Sequence, residues 1–132
     1  MTTVLMVDHS PRNRRYVARI LKYKTDYTLV LAENGYAALK KVEEQPPDLI
    51  LMDLFLPGMD GFELYKILKS RTATAKIPLI VHTAMELDDL TRARISRMKV
   101  EGYVEFPISA SELIFKIAVA LTGPKRWEPR HL

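Results

Sequence analysis

The sequence contains no cysteine, which excludes disulfide bonds, thiolate zinc sites and a thiol nucleophile. It also lacks any apolar run approaching the ~20 residues of a transmembrane helix, and no basic leader precedes a short apolar segment. From these absences we expect a soluble, cytoplasmic protein with no membrane partner. The length of 132 residues is most simply that of a single domain with a substantial core.

A strong charge of one sign is lacking as well, because 20 Lys and Arg stand against 16 Asp and Glu and leave a net charge of +4. Part of this excess falls between residues 12 and 24, at Arg12, Arg14, Arg15, Arg19, Lys22 and Lys24. Such a cluster can attract nucleic acid or an acidic partner. No helix-turn-helix or RNA-binding motif accompanies it, so we interpret it as a solvated helix face and consider nucleic-acid binding unlikely.

What the sequence does contain is a regular alternation of short apolar runs with amphipathic segments. The runs lie at residues 4–7, 27–32, 49–52, 77–83 and 102–106. The runs at 4–7 and 49–52 are continuous, which is typical of strands buried on both faces of a parallel sheet, whereas 102–106 is less uniformly apolar and suits an edge strand. Together with five helices between and after them, they predict an α/β fold. We expect a doubly wound, five-stranded parallel sheet of flavodoxin-like order 2-1-3-4-5, with helices on both faces.

Two of the apolar runs end on a carboxylate, Asp8 after the first and Asp53 after the third. In the predicted order the first and third strands are neighbours, so both acids should lie at one edge of the sheet, at the point where the winding reverses. Close like charges are unfavourable unless a cation or proton relieves them. Two carboxylates there suit a hard divalent cation. The plainer interpretation is a pair of solvated acids that merely end their strands.

Capping signals mark where helices begin after these strands. Ser10 can cap the first helix, with Pro11 at its first position. Two further pairs have a capping residue followed three positions later by a glutamate. Asp60 with Glu63 predicts the start of the third helix, and Ser109 with Glu112 predicts the start of the last.

Residues 52–64, Met-Asp-Leu-Phe-Leu-Pro-Gly-Met-Asp-Gly-Phe-Glu-Leu, resemble the most specific motif of response-regulator receiver domains, the phosphoacceptor half of two-component signalling. Val7-Asp8, the segment 32–35, Thr83-Ala84 and Gly102-Tyr103 follow the family's order and spacing. The resemblance extends from residue 3 to about 121. We therefore assign residues 1–122 to a receiver domain and residues 123–132 to a C-terminal tail or linker stub.

The resemblance implies that Asp53 accepts a phosphoryl group from a sensor histidine kinase or phosphotransfer protein. Mg²⁺ would be held by Asp8, Asp53 and the backbone carbonyl of Phe55. Thr83 would hydrogen-bond the phosphoryl group, and Tyr103 would move inward and change the surface of helix 4, strand 5 and helix 5. That surface is a candidate for a homodimer or a downstream effector. Such a domain is not an enzyme beyond, at most, self-phosphorylation from small donors and autodephosphorylation.

Two positions depart from the family pattern. The usual second acid is His9, and a neutral imidazole is a poor ligand for Mg²⁺. The usual lysine before the proline of the fifth loop is Phe106, whose ring cannot pair with a phosphoryl oxygen. We favour an atypical receiver that is still phosphorylated, with weakened Mg²⁺ binding, because the motif around Asp53 is intact. The alternative is a pseudo-receiver that acts by protein binding alone.

Other functions are compatible with the same fold. A flavin-binding electron carrier should have a phosphate loop rich in Ser, Thr and Gly after the first strand, where this chain has Asp8-His9-Ser10-Pro11-Arg12. A dehalogenase-type hydrolase should have a second acid two residues after Asp8, and that position is Ser10. We therefore rank both below a receiver domain.

His82, near the end of the fourth strand, is the remaining candidate for chemistry. Strand alternation turns it away from the direction of Thr83, toward a sheet face that is covered by a helix. We therefore expect a core histidine rather than a catalytic one.

Overall fold

The computed structural model describes residues 1–84 and 86–123, so the predicted tail lies outside the described residues except for Gly123. Strands and helices alternate, as β1 (Thr3–Val7), α1 (Pro11–Lys24), β2 (Thr28–Ala32), α2 (Gly35–Glu44), β3 (Leu49–Asp53), α3 (Gly61–Ser70), β4 (Leu79–Thr83), α4 (Asp89–Ser96), β5 (Gly102–Glu105) and α5 (Ala110–Thr122). The predicted fourth strand was too long at its start. The observed one begins after Pro78, which has no N–H to donate to a ladder.

The strands form one parallel sheet in the order β2-β1-β3-β4-β5, which confirms the predicted topology. Val7 pairs with Met52, so the residues that follow them, Asp8 and Asp53, leave adjacent strands side by side. Asp53 in turn pairs with His82 of β4.

The core is divided by the sheet into two apolar clusters, one on each face. Leu5 and Val7 of β1 belong to the cluster under α2, α3 and α4. Val4 and Met6 belong to the cluster under α1 and α5. All four are almost inaccessible to solvent, and burying such a side chain stabilises a fold by about 1.5–3 kcal/mol. Alternation along a doubly buried strand therefore supplies both halves of the core.

The predicted helix caps are present. Ser10, Asp60 and Ser109 each accept a hydrogen bond from the backbone N–H three residues on, which satisfies a donor that the helix itself leaves unpaired. Asn34 caps α2 in the same way, and this helix begins at Gly35. Within the described residues, no helix has the length and apolarity to cross a membrane.

Candidate functional site

The connection between β3 and α3 holds Asp53 at the edge of the sheet, and two glycines make it possible. Gly58 has a φ of 74°, in the left-handed region that side chains disfavour. At Gly61 an added Cβ would lie 2.6 Å from Leu54 Cα and 2.7 Å from the Asp53 backbone oxygen. The N–H of Gly61 donates to Leu54 O at 2.9 Å. The start of α3 is therefore packed directly against the end of β3, which fixes the backbone of Asp53.

The Asp53 carboxylate is partly exposed, and its Oδ1 accepts a hydrogen bond from Phe55 N at 3.0 Å. Burial raises the pKa of Asp53 to about 6, the hydrogen bond from Phe55 opposes this rise, and the negative charge of Asp8 adds to it. The electrostatic coupling of the two acids follows from their positions on adjacent strands. Asp53 is therefore partly accessible to solvent, and its surroundings disfavour the charged form of its carboxylate.

Asp8 lies beside Asp53, but its side chain is fully buried. Its Oδ1 accepts from Ser10 N at 2.7 Å and its Oδ2 accepts from Asn13 Nδ2 at 3.1 Å. Arg14 donates to the Asp8 backbone oxygen at 2.7 Å. Burial raises the pKa of Asp8 against these interactions. In this arrangement Asp8 is a neighbouring charge to Asp53 rather than a second open carboxylate.

His82 and Phe106 form the floor behind Asp8. The His82 ring is 1% exposed and stacks on Phe106, with centroids 4.5 Å apart and planes 12° from parallel. Its Nε2 lies 3.5 Å from Asp8 Oδ2, but burial lowers the pKa of His82 to about 3, so the ring is neutral. Neither ring nitrogen has a hydrogen-bond partner within the described residues. The prediction of a core histidine is confirmed, and the aromatic ring in place of the family's lysine packs inward against it.

Thr83 and Tyr103 lie on neighbouring strands, on the side of the sheet that faces α2, α3 and α4. Thr83 ends β4, one residue beyond the pair formed by Asp53 and His82, and is 1% exposed. Tyr103 is 7% exposed and belongs to the apolar cluster, with its hydroxyl 3.3 Å from Glu105 Oε1. Burial raises the pKa of this hydroxyl. The ring therefore already lies inward, and its movement on phosphorylation stays a prediction.

A cleft of about 430 Å³ opens between the segment after β1, the segment after β3 and α4. Exposed His9 and Phe55 line it, together with Arg94 of α4. The Arg94 guanidinium carbon sits 3.7 Å from the ring centroid of Phe62, a cation–π contact that holds the charge at this cleft. The positive charge of Arg94 is a feature that sequence reasoning missed, because only the fold brings α4 to this position.

The oxygen atoms around Asp53 are of the type that binds Mg²⁺, but too few side chains supply them to form a complete metal site. Within residues 1–84 and 86–123, no group of three or more His, Asp or Glu side chains is arranged to hold a metal ion. The carboxylate of Asp53 is partly exposed, both oxygens of Asp8 already accept hydrogen bonds, and the backbone carbonyl of Phe55 stays a predicted third ligand. These are the hard ligands that Mg²⁺ prefers. The mutual charge of the two acids is a further reason for a cation to bind.

Comparison with known proteins identifies the family. Residues 4–118 match the model of the response regulator receiver domain. The heme response regulator HssR of Staphylococcus aureus (strain MRSA252) is 38% identical over 123 residues, which are 92% of this chain and 52% of HssR. Hybrid signal transduction histidine kinase D of Dictyostelium discoideum is 32% identical over 123 residues, which are 92% of this chain and 8% of that kinase. This chain thus spans about half of HssR and a small part of the kinase.

Solved structures agree with the sequence matches. The signal receiver domain of a histidine kinase from Syntrophus aciditrophicus superimposes with a TM-score of 0.85 at 28% identity, covering 97% of this chain and 96% of that one. The receiver domain of the sensor kinase PA1611 from Pseudomonas aeruginosa PAO1, with magnesium coordinated in its active-site cleft, gives a TM-score of 0.83 at 24% identity, covering 92% and 98%. This chain therefore belongs to the response regulator receiver domains of two-component signalling.

Proposed function

We propose that this receiver domain accepts a phosphoryl group on Asp53 from a phosphohistidine of a sensor kinase or phosphotransfer protein. The observation that carries the proposal is the position of Asp53, a partly exposed carboxylate fixed at the end of β3 by the close approach of Gly61. A carboxylate oxygen of Asp53 would attack phosphorus as the bond from phosphorus to the histidine nitrogen breaks. The product is an acyl phosphate on Asp53 and a free imidazole on the partner.

The chemistry of the site is charge neutralisation and positioning, as in phosphoryl transfer generally. Asp53, Asp8 and the Phe55 carbonyl would hold Mg²⁺, which supplies positive charge to the phosphoryl oxygens when bound. Thr83, at the end of β4, would donate a hydrogen bond to the phosphoryl group. Arg94 and His9 line the cleft beside Asp53. The guanidinium of Arg94 would replace part of the positive charge that the family's lysine brings.

Phosphorylation would be read out on the surface formed by α4, β5 and α5. Exposed apolar side chains lie on its helices, with Leu90 73% and Phe115 65% accessible to solvent. We propose this surface as the contact for a second copy or a downstream effector, since a partner would remove these exposed apolar side chains from water. In a longer regulator, the effector would be a further domain of the same polypeptide.

A pseudo-receiver is the second candidate, and the burial of Asp8 favours it. The Asp8 oxygens are already bonded to Ser10 and Asn13, so metal binding has to compete with contacts that the resting structure makes. In this alternative the domain keeps the interaction surface and does not use Asp53.

Intact-mass measurement separates the two. The protein is incubated with Mg²⁺ and a small phosphodonor, beside Asp53→Asn and the control Asp26→Asn, which removes an exposed acid from the opposite end of the domain. The proposal predicts one added phosphoryl group in the wild type and in the control, and none in Asp53→Asn. No added mass with Mg²⁺, Mn²⁺ or any other divalent cation would instead establish the pseudo-receiver.

A further inference from the structure

A second cavity has a volume of about 580 Å³ and shares no lining residue with the cleft beside Asp53. It opens between α1 and the segment that follows β5. Its volume falls in the range of small-molecule sites, roughly 300–1,000 Å³. The side chains that give it its character are Arg12, Arg15, Arg19, Tyr16 and Phe106.

One wall of this cavity is positively charged. Arg12, Arg15 and Arg19 line it, and their spacing of three and four residues along α1 places them on one face of the helix. All three are exposed, and none forms a salt bridge with another described residue. Like charges so arranged repel one another, and an anion would relieve that repulsion. The planar guanidinium fork matches phosphate oxygens in pairs.

The segment after β5 gives the cavity a second, apolar wall. Phe106 and Pro107 line it, and the ring of Tyr16 stands beside them, 41% exposed. The Tyr16 hydroxyl donates to the backbone oxygen of Ile108, which ties α1 to the segment after β5 and fixes the width of the cavity. The Phe106 ring is held from behind by its stack on His82. A planar ring of a ligand can pack against such a wall.

We propose that this cavity binds a small nucleotide, with the phosphates on the arginines of α1 and the base against Tyr16 and Phe106. A free phosphate or diphosphate would use the arginines and leave the aromatic wall empty, whereas a nucleotide uses both. This site accounts for Arg12, Arg15 and Arg19 of the basic cluster, which the phosphoacceptor function does not. It goes beyond the proposed function, since it uses neither Asp53 nor the acid pair.

Calorimetric titration of the full chain tests the proposal with ADP, inorganic diphosphate and adenosine, in buffer containing EDTA so that metal at the acid pair plays no part. We expect ADP to bind at least about tenfold more tightly than either fragment, because it alone contacts both walls. Equal affinity of diphosphate and ADP, or binding of none of the three, would overturn the proposal.

Two double variants distinguish the cavity from the general charge of α1. Arg15→Ala with Arg19→Ala removes two cavity arginines, and Lys22→Ala with Lys24→Ala removes the same charge from the same helix outside the cavity. We expect the first pair to weaken ADP binding about tenfold or more and the second to leave it within about twofold. Equal losses of ADP affinity in the two double variants would contradict the site. A competition experiment gives a second test: an oligonucleotide that displaces ADP equally well from the wild type and from the arginine variant would also contradict it. Asp53→Asn should bind ADP as the wild type does, so the two proposals fail separately.

Discussion

The two acids that leave β1 and β3 side by side have different surroundings. Asp53 is partly exposed, and it is held by a backbone connection that matches the receiver motif. Asp8 is fully buried, with both oxygens bonded within the protein and a neutral, stacked histidine behind it. Of the two departures from the family pattern, Phe106 stacks on the histidine behind Asp8, and His9 lines the cleft beside Asp53. Asp53 and its backbone connection therefore match the family pattern, whereas His9 and Phe106, at the positions that usually handle charge, depart from it.

Gly61→Ala is expected to have the largest effect on stability on the Asp53 side. The added Cβ would meet two backbone atoms, Leu54 Cα and Asp53 O, that cannot move without displacing β3. We expect a loss of about 2–4 kcal/mol in the free energy of unfolding, measured by urea denaturation. Gly102→Ala is the control, because the three atoms nearest its Cβ would all belong to the Ile80 side chain, at 3.3 Å and beyond. Equal losses in the two variants would show that the approach at Gly61 is not rigid.

Asn13→Ala tests the Asp8 side. It removes the donor to Asp8 Oδ2 and leaves a buried carboxylate with one partner fewer. We expect a loss of about 1–3 kcal/mol in urea denaturation at pH 7. The loss should shrink as the pH falls and Asp8 protonates, since the raised pKa of Asp8 makes the neutral acid accessible. A variant as stable as the wild type would mean that Asp8 points to solvent in solution.

Asp53→Asn should stabilise the protein in metal-free buffer at pH 7. The folded pKa of about 6 lies above the ordinary value of 3.8, so the folded state binds the proton more tightly than the unfolded chain. Stability that is present below pH 3.8 is lost as the pH rises through 6. The amide carries no charge, and we expect a gain of order 1–2 kcal/mol at pH 7 that vanishes by about pH 4. Asp26→Asn, which changes an exposed acid, should show no such pH-dependent gain.

His82→Leu is expected to have the smallest effect at neutral pH. The ring is neutral and makes no hydrogen bond to the described residues, so an apolar side chain of similar size should change stability at pH 8 by less than about 1 kcal/mol. The folded pKa of about 3 lies below the ordinary 6.5, so only the unfolded chain gains a proton near pH 6. The wild type should therefore lose stability relative to the variant from pH 6.5 downward. A constant difference between pH 8 and pH 5 would show that His82 binds its proton equally well in the folded and unfolded states, so that burial does not lower its pKa.

The sequence predicted the fold and the position of the acid pair, because both depend on patterns that are local or topological. Continuous apolar runs such as 4–7 and 49–52 favour doubly buried strands, and the strand order then brings Asp8 and Asp53 together. Caps such as Asp60 and Ser109 were predictable because their partners lie three residues away.

The surroundings of Asp8 were not predictable in the same way. Whether its carboxylate faces solvent depends on the rotamer of Asn13 and on the backbone N–H of Ser10, and neither is encoded in a pattern. The stack of Phe106 on His82 joins two strands and depends on which way each ring turns. The sequence identified His82 and Phe106 as notable positions, but it could not show that their rings pack together next to Asp8. The roles assigned to Thr83 and Tyr103, like that of Asp53 itself, stay predictions.

The most direct measurement is the rate and position of phosphoryl incorporation in the wild type, Asp8→Asn and Asp53→Asn, followed by intact mass and peptide mapping with a small phosphodonor and Mg²⁺. If the two acids divide the work as described, Asp53→Asn gains no phosphoryl group, and Asp8→Asn is modified more slowly but still at residue 53. A phosphoryl group on Asp53→Asn, or mapping of the modification to any other residue in the wild type, would contradict the account.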